Sequence, residues 1–192
     1  MLNIHDFVQK YNVIPNAVCD DIVSQIKNST LWNEHSYVST GKQQTSFPPT
    51  DFEILDSTTE QFNTLVPYVI DAVKQYEEWN QLYNTFEGYI SNPGVASCSP
   101  IRFNRCKQHR LIERHHDHIK GLFGEQESGV PILSIVGLLN DDFKSGDFVL
   151  FDDYNAYLKK GDILIFPATF LYPHKVTAVS EGTRYSFASW AY

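Results

Sequence analysis

The segment ERHHDHIKG, residues 113–121, packs three histidines around one aspartate. On an extended strand residues two apart share a face, so His115 and Asp117 point together while His116 and His118 point away. An imidazole beside a carboxylate supplies two thirds of the facial triad that holds ferrous iron. A His-x-Asp pair also occurs at the solvated end of a surface strand, so a third ligand must separate the two cases. His174, in FLYPHKVTAV, opens a later strand behind a proline. There it reaches across a sandwich to the pair, or serves as a hydrogen-bonded core or rim histidine. Arg184 follows ten residues on. If Ser180, Glu181 and Gly182 form a three-residue hairpin loop with Gly182 left-handed, Val179 faces Thr183 and Ala178 faces Arg184. His174, Arg184, Ser186 and Trp190 then share one face, whereas a two-residue loop turns Arg184 to the other. A guanidinium pointing into a sandwich requires a carboxylate, either from an incoming ligand or from an acidic residue of the chain.

The elements that must position these residues change character along the chain. In the first half, Val18, Ile22 and Ile26 recur every four residues after Pro15-Asn16, which predicts a short amphipathic helix. A second helix is expected after a capping box of Ser57 and Glu60, with Phe62, Leu65, Val66, Val69, Ile70, Val73 and Tyr76 on its apolar face. Pro67 inside that pattern predicts a kink or two abutting helices. The polar stretch 33–53 reads as a hairpin or long loop. From Ser99 onward IRFNRC, PILSIVGLL, FVLF, GDILIF, HKVTAV and TRYSFASWAY are short β-branched or aromatic runs, separated by turns such as KSGD and KKGD. Several short strands at this spacing indicate a jelly roll. The expected fold is therefore α+β in one domain over 1–192, with residues 1–98 mainly helical support and 99–192 a jelly-roll core carrying the site.

Composition narrows the function classes. The chain has 192 residues, 42% hydrophobic and 14% aromatic, enough apolar mass for a real core. Fifteen basic against twenty-three acidic residues give a formal net charge of −8. With no Lys/Arg-rich run, an electrostatic grip on nucleic acid is not expected. No apolar run approaches the roughly 20 residues of a membrane span, and the opening stretch lacks the pattern of a signal peptide. Cys19, Cys98 and Cys106 are odd in number and lack CxxC spacing, which argues against a disulfide framework or a thiolate zinc site. Three reduced thiols in the cytoplasm fit that usage.

The pattern His115-x-Asp117, then His174, then Arg184 resembles the Fe(II)/2-oxoglutarate-dependent oxygenase superfamily. The tail YPHKVTAVSEGTRYSFASWAY looks most like its prolyl 4-hydroxylase branch. The resemblance covers residues 99–192 well and the first half only in general layout. It implies that His115, Asp117 and His174 bind Fe(II), and that Arg184 binds the far carboxylate of 2-oxoglutarate. Ser186 is implied as a second donor to that carboxylate, and Trp190 as a wall of the pocket for the target proline. Trp190 could instead plug the end of the sandwich. Cys106 stands near where many prolyl hydroxylases carry a tyrosine reaching toward 2-oxoglutarate, and Ser134 or Tyr185 is expected to replace that hydroxyl. Fe(II), 2-oxoglutarate and O2 are the implied cofactor and co-substrates, with ascorbate as an optional addition.

The implied reaction is hydroxylation of a prolyl residue in a peptide or protein, with release of succinate and CO2. The same chemistry on another amino acid, a small metabolite or a nucleobase is the alternative. A binding module that keeps the fold without turnover is a third reading, though it has no need of all four residues. Segments 33–53 and Ile119–Pro131 are either covering loops or ordinary surface connections. Nothing in the residues bears on oligomeric state.

Overall fold

The computed structural model describes residues 3–39, 42–45, 52–83, 95, 97–117 and 131–192. His118, most of segment 119–131 and parts of 33–53 lie outside these residues. The first half contains a 3-10 turn (Ile4–Phe7), β1 (Gln9–Asn12), α1 (Asn16–Ile26), β2 (Asn33–Glu34), the hairpin β3 (Ser36–Ser39) and β4 (Lys42–Thr45), β5 (Glu53–Asp56) and α2 (Thr59–Tyr83). The second half adds β6 (Arg102–Lys107), β7 (Ile112–His115), β8 (Leu133–Leu138), β9 (Lys144–Ser145) and β10 (Phe148–Leu150). It ends with β11 (Tyr154–Asn155), β12 (Asp162–Pro167), β13 (His174–Val176), β14 (Val179–Glu181) and β15 (Thr183–Ala191).

Two antiparallel sheets make the jelly roll. The larger has strand order β1-β12-β8-β15-β6-β5-β2, and the smaller β11-β10-β13-β7. Alternation along the larger sheet's strands divides the apolar residues between two layers. Phe103, Ile135, Ile163, Ile165 and Phe187 face the helices and pack with Ile22, Ile26, Leu65 and Val69. Cys106, Val136, Leu164 and Phe166 face inward and meet Ile112, Phe148, Leu150 and Val176 of the smaller sheet. The helices thus cover one face of the large sheet, and the small sheet covers the other.

The first half gives the sheet more than support. Strands β1, β2 and β5 all join the larger sheet, β1 on β12 and β5 on β6. They are short and half-exposed, with burial alternating residue by residue in β1, so no apolar run announces them. The second helix is one uninterrupted element with Pro67 inside it, not two. Its capping box lies one residue later than expected. Thr58 Oγ1 accepts from the Gln61 N–H at 3.3 Å, and the Thr58 N–H donates to Gln61 Oε1 at 3.0 Å. Ser57 is drawn away, because its N–H donates to Ile101 O and ties the helix start to the sheet. Ile70, assigned to the apolar face, is 44% exposed.

The largest correction concerns the expected hairpin before Arg184. Gly182 does adopt the left-handed conformation, at φ 81°. A Cβ there would stand 2.7 Å from Asp142 O, so the position requires glycine. However, β14 pairs with β9, and β15 pairs with β6 and β8. His174 and Arg184 therefore lie on opposing sheets and face each other across the sandwich, rather than side by side on a hairpin. Arg184 points inward because β15 buries both its faces and its even-numbered residues fall on the inner one.

Gly137 leaves room for the Phe187 ring of the neighbouring strand. It is paired with Phe187, and a Cβ on it would come within 2.0 Å of the Phe187 ring. Gly137→Ala should cost about 1–3 kcal/mol by overpacking and lower the melting temperature by several degrees in a thermal scan. An unchanged melting temperature would mean that the ring has room to move.

Candidate metal and co-substrate site

The two histidines come from neighbouring strands of the smaller sheet. His115 ends β7 directly opposite His174 at the start of β13, with ring centroids 4.3 Å apart. Each ring is fixed by a backbone carbonyl two residues earlier. Nδ1–H of His115 donates to Glu113 O at 2.7 Å, and Nδ1–H of His174 donates to Tyr172 O at 3.0 Å. A carbonyl only accepts, so the proton sits on Nδ1 and Nε2 keeps its lone pair. The His174 ring also stacks on Phe148 at 5.3 Å. Burial, with His115 adding to it, pushes the His174 pKa down to about 4 against the pull of Asp117. The ring is thus a neutral ligand at neutral pH.

Asp117 follows on a bend just past the end of β7. Its carboxylate is buried and crosses to the larger sheet, where Oδ2 accepts from Ser134 Oγ at 2.6 Å and from Trp190 Nε1 at 3.0 Å. Ser134 and Trp190 are themselves a cross-strand pair of β8 and β15. Burial raises the Asp117 pKa, but the two imidazoles and these two donors outweigh it and leave the carboxyl below its ordinary value. Oδ2 is committed, and Oδ1 faces the histidines. The Nε2 atoms of His115 and His174 stand 3.6 and 3.8 Å from it, beyond hydrogen-bond reach. One donor atom from each of the three residues lies within 4.8 Å of the others. Two neutral imidazole nitrogens and one carboxylate oxygen, each oriented by a second hydrogen bond, fit a divalent cation that keeps other positions open.

The same cavity is lined on the larger sheet by Arg102, Asn104, Arg184, Ser186 and Trp190. Arg184 is 1% exposed, and its Nη1 donates to Ser186 Oγ at 2.7 Å. Burial lowers its pKa from the ordinary value, opposed by Cys106 and Asp147. It forms no salt bridge among the described residues, so the internal acidic partner weighed from the sequence does not occur there. A buried guanidinium with a neutral hydroxyl partner is a receptor for a carboxylate.

A two-histidine, one-carboxylate cluster facing a buried arginine inside a jelly roll is the arrangement that residues 101–192 share with the 2OG-Fe(II) oxygenase superfamily, the family they match. The C-terminal half is a 2-oxoglutarate–Fe(II) oxygenase domain. No curated protein matches this sequence. Among solved structures, the oxygenase fold is similar to a prolyl-4-hydroxylase of Pseudomonas putida, at 16% identity and a TM-score of 0.66, over 96% of this chain and 92% of that one. It is also similar to a prolyl hydroxylase of Trichoplax adhaerens in complex with a peptide fragment of the hypoxia inducible factor oxygen degradation domain. There the identity is 12% and the TM-score 0.68, over 97% of this chain and 83% of that one. A viral collagen prolyl hydroxylase from Paramecium bursaria Chlorella virus-1, in complex with 2OG, gives 12% identity and a TM-score of 0.64, with 98% of each chain covered. At these identities the likeness is one of fold.

The structure brings together all six residues singled out from the sequence of this oxygenase, and it corrects one detail, the second co-substrate contact. Trp190 lines the cavity, but its indole N–H is engaged by Asp117 and the Arg102 guanidinium lies 5.0 Å from its ring centroid. Neither hydroxyl expected to make the second co-substrate contact is placed for it. Ser134 is committed to Asp117, and Tyr185 packs on the helix side near Trp32. Asn104 was missed, because Arg102 and Asn104 alternate with Phe103 in a pattern that ordinarily marks a solvated face.

His115→Ala, Asp117→Ala or His174→Ala should each abolish tight Fe(II) binding in equilibrium dialysis. Ser134→Ala, which removes one of the two donors to Oδ2, should weaken binding by about 10–100-fold, and exposed His116→Ala should leave it unchanged. If His116→Ala loses the metal and His115→Ala keeps it, the ligand assignment is off by one residue.

Proposed function

We propose that this oxygenase hydroxylates prolyl residues in a peptide or protein, releasing succinate and CO2. The observation that carries the proposal is the His115, Asp117 and His174 cluster facing Arg184 across one cavity, in a fold similar to that of prolyl hydroxylases. In this reading the two histidines and Asp117 hold Fe(II), and Arg184 takes the far carboxylate of 2-oxoglutarate, with Ser186 beside it. The metal supplies activation of O2 coupled to oxidative decarboxylation of 2-oxoglutarate, as in the superfamily. The chain's own residues bind and orient. Nδ1 of each histidine is held by a carbonyl so that Nε2 faces inward. Ser134 and Trp190 fix the Asp117 carboxylate, and Phe148 and Phe166 keep the His174 side dry. Trp190 acts through Asp117 first and as an apolar wall second. That the Trichoplax relative was solved with a peptide bound supports a peptide as the substrate class.

A second reading rests on Arg102. Its guanidinium shares the cavity wall with the metal residues, which favours a substrate carrying a carboxylate near the reacting carbon, such as a free amino acid.

Incubation with Fe(II), 2-oxoglutarate and a proline-containing peptide library should add one oxygen per modified peptide, matched by one succinate. Succinate formed only with free amino acids would favour the second reading, and no succinate with either would contradict both. Arg184→Lys keeps the charge but loses the planar two-point grip, so the KM for 2-oxoglutarate should rise while metal binding persists. An unchanged KM would place the carboxylate elsewhere. Trp190→Phe keeps an apolar ring and removes the N–H. It should weaken metal binding about 10–100-fold in a folded protein. Unchanged metal affinity with impaired peptide turnover would instead make Trp190 a substrate wall alone.

A further inference from the structure

We infer that Asn104 makes the second side-chain contact to the far carboxylate of 2-oxoglutarate, an assignment that rests on Arg184 making the first. Asn104 lies on the inner face of β6, is 5% exposed and lines the cavity that holds the metal residues. Its Oδ1 is enclosed and accepts no hydrogen bond among the described residues. A buried amide left unpaired is costly, and in a ligand cavity its natural completion is a ligand.

Register decides which part of the ligand it meets. On the adjacent strand β15, Arg184 is paired with Cys106 and Ser186 with Asn104. Such cross-strand pairs bring Cβ atoms within about 4.5–5.5 Å of each other. The amide is therefore level with the hydroxyl that Arg184 already holds at 2.7 Å. The metal residues meet β15 four residues further on, through Trp190. Asn104 is thus at the arginine end of the cavity.

A carboxylate closes the donor and acceptor count. Rotation about the Cβ–Cγ bond exchanges the ends of the amide, so Nδ2–H can face an anionic oxygen. Oδ1 then turns to Ser186, whose oxygen accepts from Arg184 and whose own proton is available to donate. A guanidinium, a hydroxyl and a neutral amide together recognise a carboxylate at that distance from the metal and disfavour a methyl group there.

The test is calorimetric binding of two acids, without O2, to the Mn(II)-loaded full chain. The acids are 2-oxoglutarate and 2-oxopentanoate, which has the same carbon skeleton without the far carboxylate. Asn104→Ala should weaken 2-oxoglutarate about ten-fold and Asn104→Asp, which adds a repelling charge, about a hundred-fold. Binding of 2-oxopentanoate to Asn104→Ala should stay within about two-fold of wild type, because the lost donor has no partner on that acid. The melting temperature of ligand-free Asn104→Ala should equal or exceed wild type, since an unpaired amide is removed. A merely structural asparagine would lower it. The assignment is overturned if Asn104→Ala binds 2-oxoglutarate as wild type does while Arg184→Lys binds it weakly, or if it weakens both acids equally. A metal-loaded wild type that binds no 2-oxoglutarate overturns the oxygenase reading and this assignment with it.

Discussion

A carboxylate enclosed between two β-sheets is stable only if every lone pair has a partner and its charge has a counterpart. Asp117 meets that condition by bridging the sandwich. It belongs to the end of a strand in the smaller sheet, yet its Oδ2 is held by Ser134 and Trp190 of the larger one. The bridge fixes the distance between sheets at the site and directs Oδ1 at His115 and His174. Those two rings are in turn fixed by the pairing of β7 with β13 and by carbonyls that hold their protons on Nδ1. Without the bridge, three potential ligands would be three separate side chains.

The opposite charge lies on the facing sheet. Arg184 is fully buried with a serine as its neutral partner, so the cavity carries an anionic cluster at one end and a cation at the other. Both charges are expensive alone. A divalent cation at the first and a dicarboxylate reaching the second would neutralise both and link them through one molecule. That complementarity accounts for the polar lining of a sandwich interior that is elsewhere built of Phe148, Phe166, Leu150 and Leu164.

Much of this site was legible because strand periodicity is rigid. The even offsets from Arg184 to Ser186 and Trp190 place those residues correctly, whereas Asp117 joins His115 from a bend past the end of β7 and not along a strand. The hairpin invoked to orient Arg184 was wrong and His174 lies on the facing sheet, yet Arg184 still points inward with Ser186 and Trp190, since the parity of β15 does not depend on the strand it pairs with. Other features were hidden by sequence economy. β1 and β5 are four residues each, too short and polar to stand out from loops. Thr58 and Gln61 cap α2 one residue beyond an equally good Ser57–Glu60 pair, and only the tether of Ser57 to Ile101 chooses between them. Asn104 was not singled out, because polar alternation ordinarily signals solvent, and here the facing layer is a cavity.

The central claim is that His115 Nε2, Asp117 Oδ1 and His174 Nε2 hold one metal ion whose co-substrate extends to Arg184. A crystal grown without O2 from the full chain with Mn(II) and 2-oxoglutarate tests it most directly, by anomalous scattering at the manganese edge. The account predicts one anomalous peak bonded to those three atoms, with the far carboxylate of 2-oxoglutarate on the Arg184 guanidinium. A peak elsewhere, or a co-substrate whose far carboxylate avoids Arg184, would contradict it.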